Sequence, residues 1–101
     1  MSDLETTIFQ IILHSGNGRS AAMEAIHAAK KGDFEYAREK IEEAEKALNE
    51  CHLIQTSLIQ AEIRGEKAES SLLMIHAQDH LMNAMTVKDL AEEMVEIYQR
   101  I

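Results

Sequence analysis

The sequence predicts an all-α protein: an antiparallel three-helix bundle that associates with copies of itself. Three observations carry this expectation. The 101 residues contain no proline, only four glycines, and abundant Ala, Glu, Ile, Leu and Met, which are helix-forming types. Apolar residues recur at spacings of three and four, and no run alternates in the manner of a strand bounded by turn residues. Finally, the stretch LLMIHAQDHLMNAMTV, Leu72 to Val87, has ten apolar residues in sixteen, with Asp79 its only formal charge. A helix that is apolar almost all round has to be covered on more than one side.

The first segment runs from about residue 4 to 31. Leu4, Ile8, Ile11, Ile12, Ala22, Ala25, Ile26 and Ala29 form its apolar stripe, and Ser2 or Asp3 can cap its start. Gly16 and Gly18 interrupt it within HSGNG. They lower helix propensity, so a kink or break is expected there. The alternative is a close approach by a second backbone, or by a site, which the missing side chains would allow.

The clearest boundary is Lys30-Lys31-Gly32-Asp33. Lysines suit the negative end of a helix dipole. Gly32 can take the left-handed position after the last turn, and Asp33 can cap the next helix. The second segment, 34 to 64, has a stripe of Phe34, Ala37, Ile41, Ala44, Leu48 and Cys51, close to a heptad seam. Its first half is densely charged outside that stripe, as a solvated face with i,i+4 pairs is. From Cys51 to Ala61 it has no formal charge, so this half is expected to be the more covered.

Gly65 and its neighbours, Arg64 to Glu69, read as a short connection. The third segment then spans 70 to 101, capped by Ser70 or Ser71. After Val87 it becomes ordinary, with Leu90, Ala91, Met94, Val95 and Tyr98 expected inside. Folding the chain about Gly65 lays the uncharged half of segment two beside Leu72–Val87. A lone three-helix chain would leave one side of segment three in water, and self-association follows. Three-fold assembly fits, although periodicity alone does not count subunits.

The length is that of one domain, residues 1 to 101. The net charge of −8 argues against nucleic-acid binding, which needs a basic face, and suits basic partner surfaces. Cys51 is the only cysteine, so neither an internal disulfide nor a thiolate metal cluster can form within the chain; a buried thiol is the simplest reading. The start, MSDLETTIF, lacks a basic region and a long apolar core, so no secretory signal is expected. No apolar run approaches about 20 residues, the length of a membrane span. A cytoplasmic protein is expected.

Inside Leu72–Val87, the side chains of His76, Asp79, His80 and Asn83 fall within roughly one third of the circumference at about 100° per residue. A polar stripe in an apolar helix needs partners or a task. Three readings stand side by side. His76 can be a nucleophile for phosphoryl transfer, with Gln78 and His80 as donors to phosphoryl oxygens and Met, Leu and Ile around it as a docking apron. His76 and His80 can be two ligands of a metal site, although no Glu follows His76 as HExxH requires. Or they can be core histidines paired with Asp79 or backbone. Asp79 can pair with Arg19 or Lys88, or simply be exposed. In a trimer its copies can also converge, with mutual repulsion unless a hard cation joins them.

The run LLMIHAQDHLMNAM resembles the signature of the lactose/cellobiose-type enzyme IIA proteins of the bacterial phosphoenolpyruvate-dependent sugar phosphotransferase system. SGNGRS (Ser15–Ser20), KKGDF (Lys30–Phe34), ALNECHLIQTSLI (Ala47–Ile59) and the closing MVEIYQR extend the resemblance over most of the chain. The ALNECHLIQTSLI run is closer to the cellobiose/chitobiose branch than to the lactose branch. The resemblance implies a homotrimer of three-helix subunits. It implies a phosphoryl group accepted on His76 from the histidine-containing phosphocarrier protein and passed to a cysteine of enzyme IIB. Enzyme IIB would then phosphorylate a disaccharide entering through the membrane enzyme IIC. It further implies Gln78 and His80 as supporting residues near His76, in a site between adjacent subunits. Asp79 would be the ligand, with its symmetry copies, of one divalent ion such as Mg2+ on the three-fold axis. The short lead before Leu4 departs from members with a longer one, with no expected effect on catalysis. His14, His27 and His52 match no phosphorylation motif; His27 reads as a surface or seam residue and His52 as packed core. The competing class is a non-catalytic helical oligomeric interaction module, metal-stabilised, with no phosphoryl traffic.

Overall fold

The computed structural model describes residues 3–66 and 71–101. Three helices follow one another: α1 Asp3–Lys30, α2 Phe34–Ile63 and α3 Leu72–Arg100. No strand occurs among the described residues. The expected segments match these helices to within two residues at each end. Ser2, Ser70 and residues 67–69 of the expected second connection lie outside the described residues.

The helix ends are held by the residues whose chemistry suits them. Gly32 has φ +84°, the left-handed conformation in which a Cβ is strained. The Asp33 N–H donates back to the Ala28 carbonyl at 2.9 Å, and the Asp33 carboxylate accepts from the Tyr36 N–H at 3.2 Å, capping α2. Gly65, at φ +90°, ends α2 in the same left-handed manner. Ser71 caps α3, its hydroxyl accepting from the Met74 N–H at 3.1 Å.

Both α2 and α3 pack more extensively on α1 than on each other. The core changes character along the bundle. At the α1 C-terminal end and in the middle it is mostly alanine: Ala21, Ala22, Ala25, Ala28, Ala29, Ala37, Ala44 and Ala91 are all buried, so backbones meet with little side chain between them. At the other end, Ile8, Ile11, Leu48, Cys51, Met74 and Leu81 form the largest apolar cluster. That end carries the polar stripe of α3. Lys40 ties α1 to α2 across the surface, 2.9 Å from Glu24 and 3.0 Å from Glu43.

Helix α1 is continuous through HSGNG, without the expected break. The glycines serve the alternative purpose. Gly18 is buried, and a Cβ built on it would lie 2.6 Å from Leu48 Cγ. Gly16 faces α3, where a Cβ would lie 3.5 Å from His80 Nε2. Propensity is overridden because tertiary contact fixes the helix. Gly18→Ala should therefore destabilise the fold despite its better propensity. Leu48 is only 3% exposed and has no room to yield, so overpacking of about 1–2 kcal/mol is expected. At fixed chain concentration the thermal midpoint read by circular dichroism should fall by roughly 5–10 °C; an unchanged midpoint contradicts the contact.

Other burial expectations need correction in part. The uncharged half of α2 is more covered than the charged half but only in part by its own chain: Cys51 and Gln55 are buried, whereas Leu53 and Ile59 are exposed. On α3, Leu90 and Met94 face outward, whereas Ala91 and Val95 are buried. His52 is exposed rather than packed in the core. The Cα radius of gyration is 15.6 Å, against about 13 Å for a compact domain of this length. A long, thin bundle leaves more apolar surface outside than its own core can take in.

Candidate functional site

The N-terminal half of α3 carries the site, and its neighbours explain where each side chain goes. Met74, Ala77, Leu81 and Ala84 are the residues it buries against α1 and α2. That register places His76 and Asp79 on the outside, both exposed, with His80 half-buried at the edge. The His76 and His80 rings lie parallel, 5.9 Å between centroids and 7° between planes. This is the i,i+4 pairing of a helix surface.

The polar stripe divides into two pairs. His76 stacks on His80, whereas Asp79 accepts a hydrogen bond from Asn83 Nδ2 at 3.2 Å. Asp79 pairs with neither Arg19 nor Lys88: Lys88 is engaged by Glu45, Asp89 and Glu92. The parallel rings also weigh against a two-histidine metal site. Imidazole lone pairs lie in the ring plane, and rings stacked at this separation direct them past any single ion. Among the described residues, no group of three or more His, Cys, Asp or Glu converges on one point. The core-histidine reading fails for His76, because the ring is exposed.

Gln78 is not brought beside His76 in the same chain. It turns toward α2, where its Oε1 accepts from Gln55 Nε2 at 2.6 Å, while its own Nε2 reaches Met74 Sδ at 3.6 Å. Beside His80, an open groove of about 440 Å³ runs along α1 past Gly16, Arg19, Ser20, Met23 and His27. His27 is exposed there, as a surface residue.

Cys51 offers no rival nucleophile. It is fully buried, its thiol donates to the Ile11 carbonyl at 3.6 Å, and burial pushes the thiol above its ordinary range, which suppresses the reactive thiolate.

Gln55 is the site residue the sequence reading missed, whereas Gly16 stands beside His80 as the close-approach alternative allowed. Gln55 had a signal. It continues the apolar stripe of α2 one turn beyond Cys51, and a carboxamide on a buried stripe requires a polar partner.

Around Asp79 the exposed face of α3 is largely apolar, with Asn83, Thr86 and Glu93 among its other exposed polar residues. Leu72, Ile75, Met82, Leu90, Met94, Ile97 and Ile101 are exposed large hydrophobics, and Asp79 lies among them. Such a contiguous face on one chain is the mark of an interaction surface.

Comparison with known proteins gives this arrangement a context. Residues 6–99 match the family described as "PTS system, Lactose/Cellobiose specific IIA subunit". The lichenan-specific phosphotransferase enzyme IIA component of Bacillus subtilis (strain 168) is 63% identical over 99 residues, covering 98% of this chain and 90% of that protein. The N,N'-diacetylchitobiose-specific EIIA component of Escherichia coli (strain K12) is 39% identical over 99 residues, covering 98% and 85%. Among solved structures, the cellobiose-specific enzyme IIA from Bacillus anthracis superposes with a TM-score of 0.95 at 55% identity, covering 99% of this chain and 92% of that one. A IIA(chitobiose) chain, solved in complex with HPr from Escherichia coli, gives a TM-score of 0.84 at 38% identity, covering 99% and 97%.

These likenesses define the class as a phosphotransferase component of a sugar phosphotransferase system. The chain belongs to the lactose/cellobiose-specific IIA subunit family of that system.

Proposed function

We propose that the chain is the phosphoryl carrier of a disaccharide uptake system. His76 accepts a phosphoryl group from the histidine-containing phosphocarrier protein HPr and passes it to a cysteine of the cognate enzyme IIB. Enzyme IIB phosphorylates the sugar as it enters through the membrane enzyme IIC. No helix among the described residues is long and apolar enough to cross a membrane, and the proposed place of work is the cytoplasm. The observation that carries the reading is His76 itself: an exposed ring on a largely apolar helix face, stacked on a second imidazole. A carrier has to be reached by two macromolecules in turn, and the HPr-bound structural neighbour supports the first of them. Relatives named for lichenan and cellobiose, 63% and 44% identical, support a cellobiose-type sugar, while those named for diacetylchitobiose and lactose stand equal at 39%.

The chemistry asks little covalent work of the protein. The lone pair of an unprotonated His76 nitrogen attacks phosphorus in line. The donor's P–N bond breaks, and its electron pair returns to the donor imidazole. In the second transfer a thiolate attacks, the P–N bond to His76 breaks, and its electron pair stays on the ring. Alignment and oxygen neutralisation do the rest. His80, stacked parallel to His76, is the side chain proposed to donate an N–H to a phosphoryl oxygen.

Helix geometry supports assembly around α3. At about 100° per residue, His76 and His80 lie roughly 60° and 100° to one side of Asp79. Gln78 lies roughly 100° to the other side. If Asp79 faces a three-fold axis, the His76 flank of one copy meets the Gln78 flank of the next, and a heterologous contact of this kind closes into a ring. The Gln78 carboxamide then serves His76 of an adjacent copy. The Asp79 carboxylates converge, each with one oxygen held by its own Asn83. Three carboxylates are a hard oxygen donor set, and a divalent ion such as Mg2+ would cancel their repulsion.

The test is enzymatic labelling. With phosphoenolpyruvate, enzyme I and HPr, one acid-labile, base-stable phosphate per chain is expected. No label with demonstrably active donors would favour the non-catalytic interaction module.

A further inference from the structure

We propose that Gln55 is a positioning residue that decides which end of the Gln78 carboxamide faces the phosphoryl group. The inference rests on the reading above, in which Gln78 donates to the phosphoryl group on His76 of an adjacent copy, and it deepens that reading.

A carboxamide has a donor end and an acceptor end of nearly the same shape. On an open helix surface it turns freely about its last torsion. A phosphoryl group presents only acceptor oxygens, so an NH2 end binds it and a carbonyl end repels it. An unrestrained Gln78 would therefore spend part of its time in the wrong orientation, and the competent fraction sets the effect.

Gln55 removes this freedom. It is only 8% exposed, on the α2 stripe between Cys51 and Leu58, so packing holds its side chain against Gln78. Its Nε2 donates to Gln78 Oε1 at 2.6 Å, and the carbonyl end of Gln78 is thereby occupied. The NH2 end is left to donate elsewhere. One of its hydrogens reaches Met74 Sδ at 3.6 Å, a weak acceptor. The other hydrogen is left for a stronger one. Gln55 touches neither His76 nor the phosphoryl group and acts through Gln78 alone.

The experiment measures the rate of phosphoryl transfer from phospho-HPr to the full-length protein by rapid quench, with helicity and chain mass checked for each variant. Gln78→Leu should slow transfer about tenfold, the loss of one hydrogen bond to a charged group. Gln55→Met frees the carboxamide without inverting it and should slow transfer by about threefold. Gln55→Glu, with an acceptor where the donor was, turns the Gln78 NH2 inward and should match Gln78→Leu. The double variant Gln55→Met/Gln78→Leu should be no slower than Gln78→Leu alone, a non-additivity that a merely structural role does not produce.

Wild-type rates for both Gln55 variants beside a slow Gln78→Leu overturn the Gln55 proposal and leave the Gln78 reading standing. Multiplying effects in the double variant also overturn it. A wild-type rate for Gln78→Leu removes the Gln78 reading and Gln55 with it. If a Gln55 variant fails to fold, the wild-type protein decides by NMR. A through-hydrogen-bond coupling from the Gln55 side-chain nitrogen to the Gln78 side-chain carbonyl carbon is expected, and its absence overturns the proposal.

Discussion

His76→Ala is expected to abolish phosphoryl uptake while leaving the helical circular dichroism and the mass in solution unchanged. The ring is exposed and stacks only on His80, so its loss removes the nucleophile without opening a cavity. Truncation of an exposed side chain changes stability by within about 0.5 kcal/mol. Transfer should instead fall below detection: the proposed role of the half-buried His80 is that of a donor, and Cys51 is buried with its thiol pushed up. His80→Ala behaves differently. It loses a donor beside the phosphoryl oxygens, so its transfer rate should drop by about ten- to a hundredfold with labelling still complete at long times. Quenched-flow labelling of the two variants separates the roles. Residual fast labelling of His76→Ala, or complete loss in His80→Ala with normal labelling of His76→Ala, would exchange them.

Charge introduced on the outer face of α3 is expected to dissociate the proposed trimer. Leu90 and Ile97 are exposed in the single chain, at 52% and 57%, and lie on the same side of the helix as Asp79. In an assembly built around that side they become core. A glutamate at either position brings like charges together in every copy, in a place where desolvation of an unpaired charge costs several kcal/mol per ion. Ile97→Glu should therefore run as a single chain of 11.4 kDa in sedimentation velocity, where the unaltered protein is expected at three times that mass. Glu96→Gln, on the polar side one residue away, should leave the trimer intact. A full-mass assembly for Ile97→Glu places the interface on another face.

Three helices, their order and most of their ends were legible from the sequence, because punctuation and stripe coincided. Asp33 and Gly32 mark one boundary by chemistry that leaves few alternatives. The α1 glycines misled for a physical reason. Propensity treats Gly16 and Gly18 as weak points, whereas Gly18 is the room into which Leu48 packs. Such a contact joins residues thirty positions apart, and no local pattern reports it. The same limit hid Gln55, whose partner Gln78 lies on another helix. His76, Asp79 and His80 were legible because polar side chains stand out on an apolar helix. Their division into a stacked pair and an Asp79–Asn83 pair was not, since helical phase groups all four together. The inside of α3 after Val87 was misassigned at Leu90 and Met94. Periodicity reports an apolar face but not which surface covers it, and here the chain's own core stops at Ala91 and Val95.

The most direct test of the carrier role follows one phosphate through both transfers. The protein is charged from phospho-HPr, freed of the donor and mixed with its cognate enzyme IIB. The label is expected to leave His76 and appear on an enzyme IIB cysteine in a single step. Label that stays on His76, or departs only as inorganic phosphate, would contradict the account.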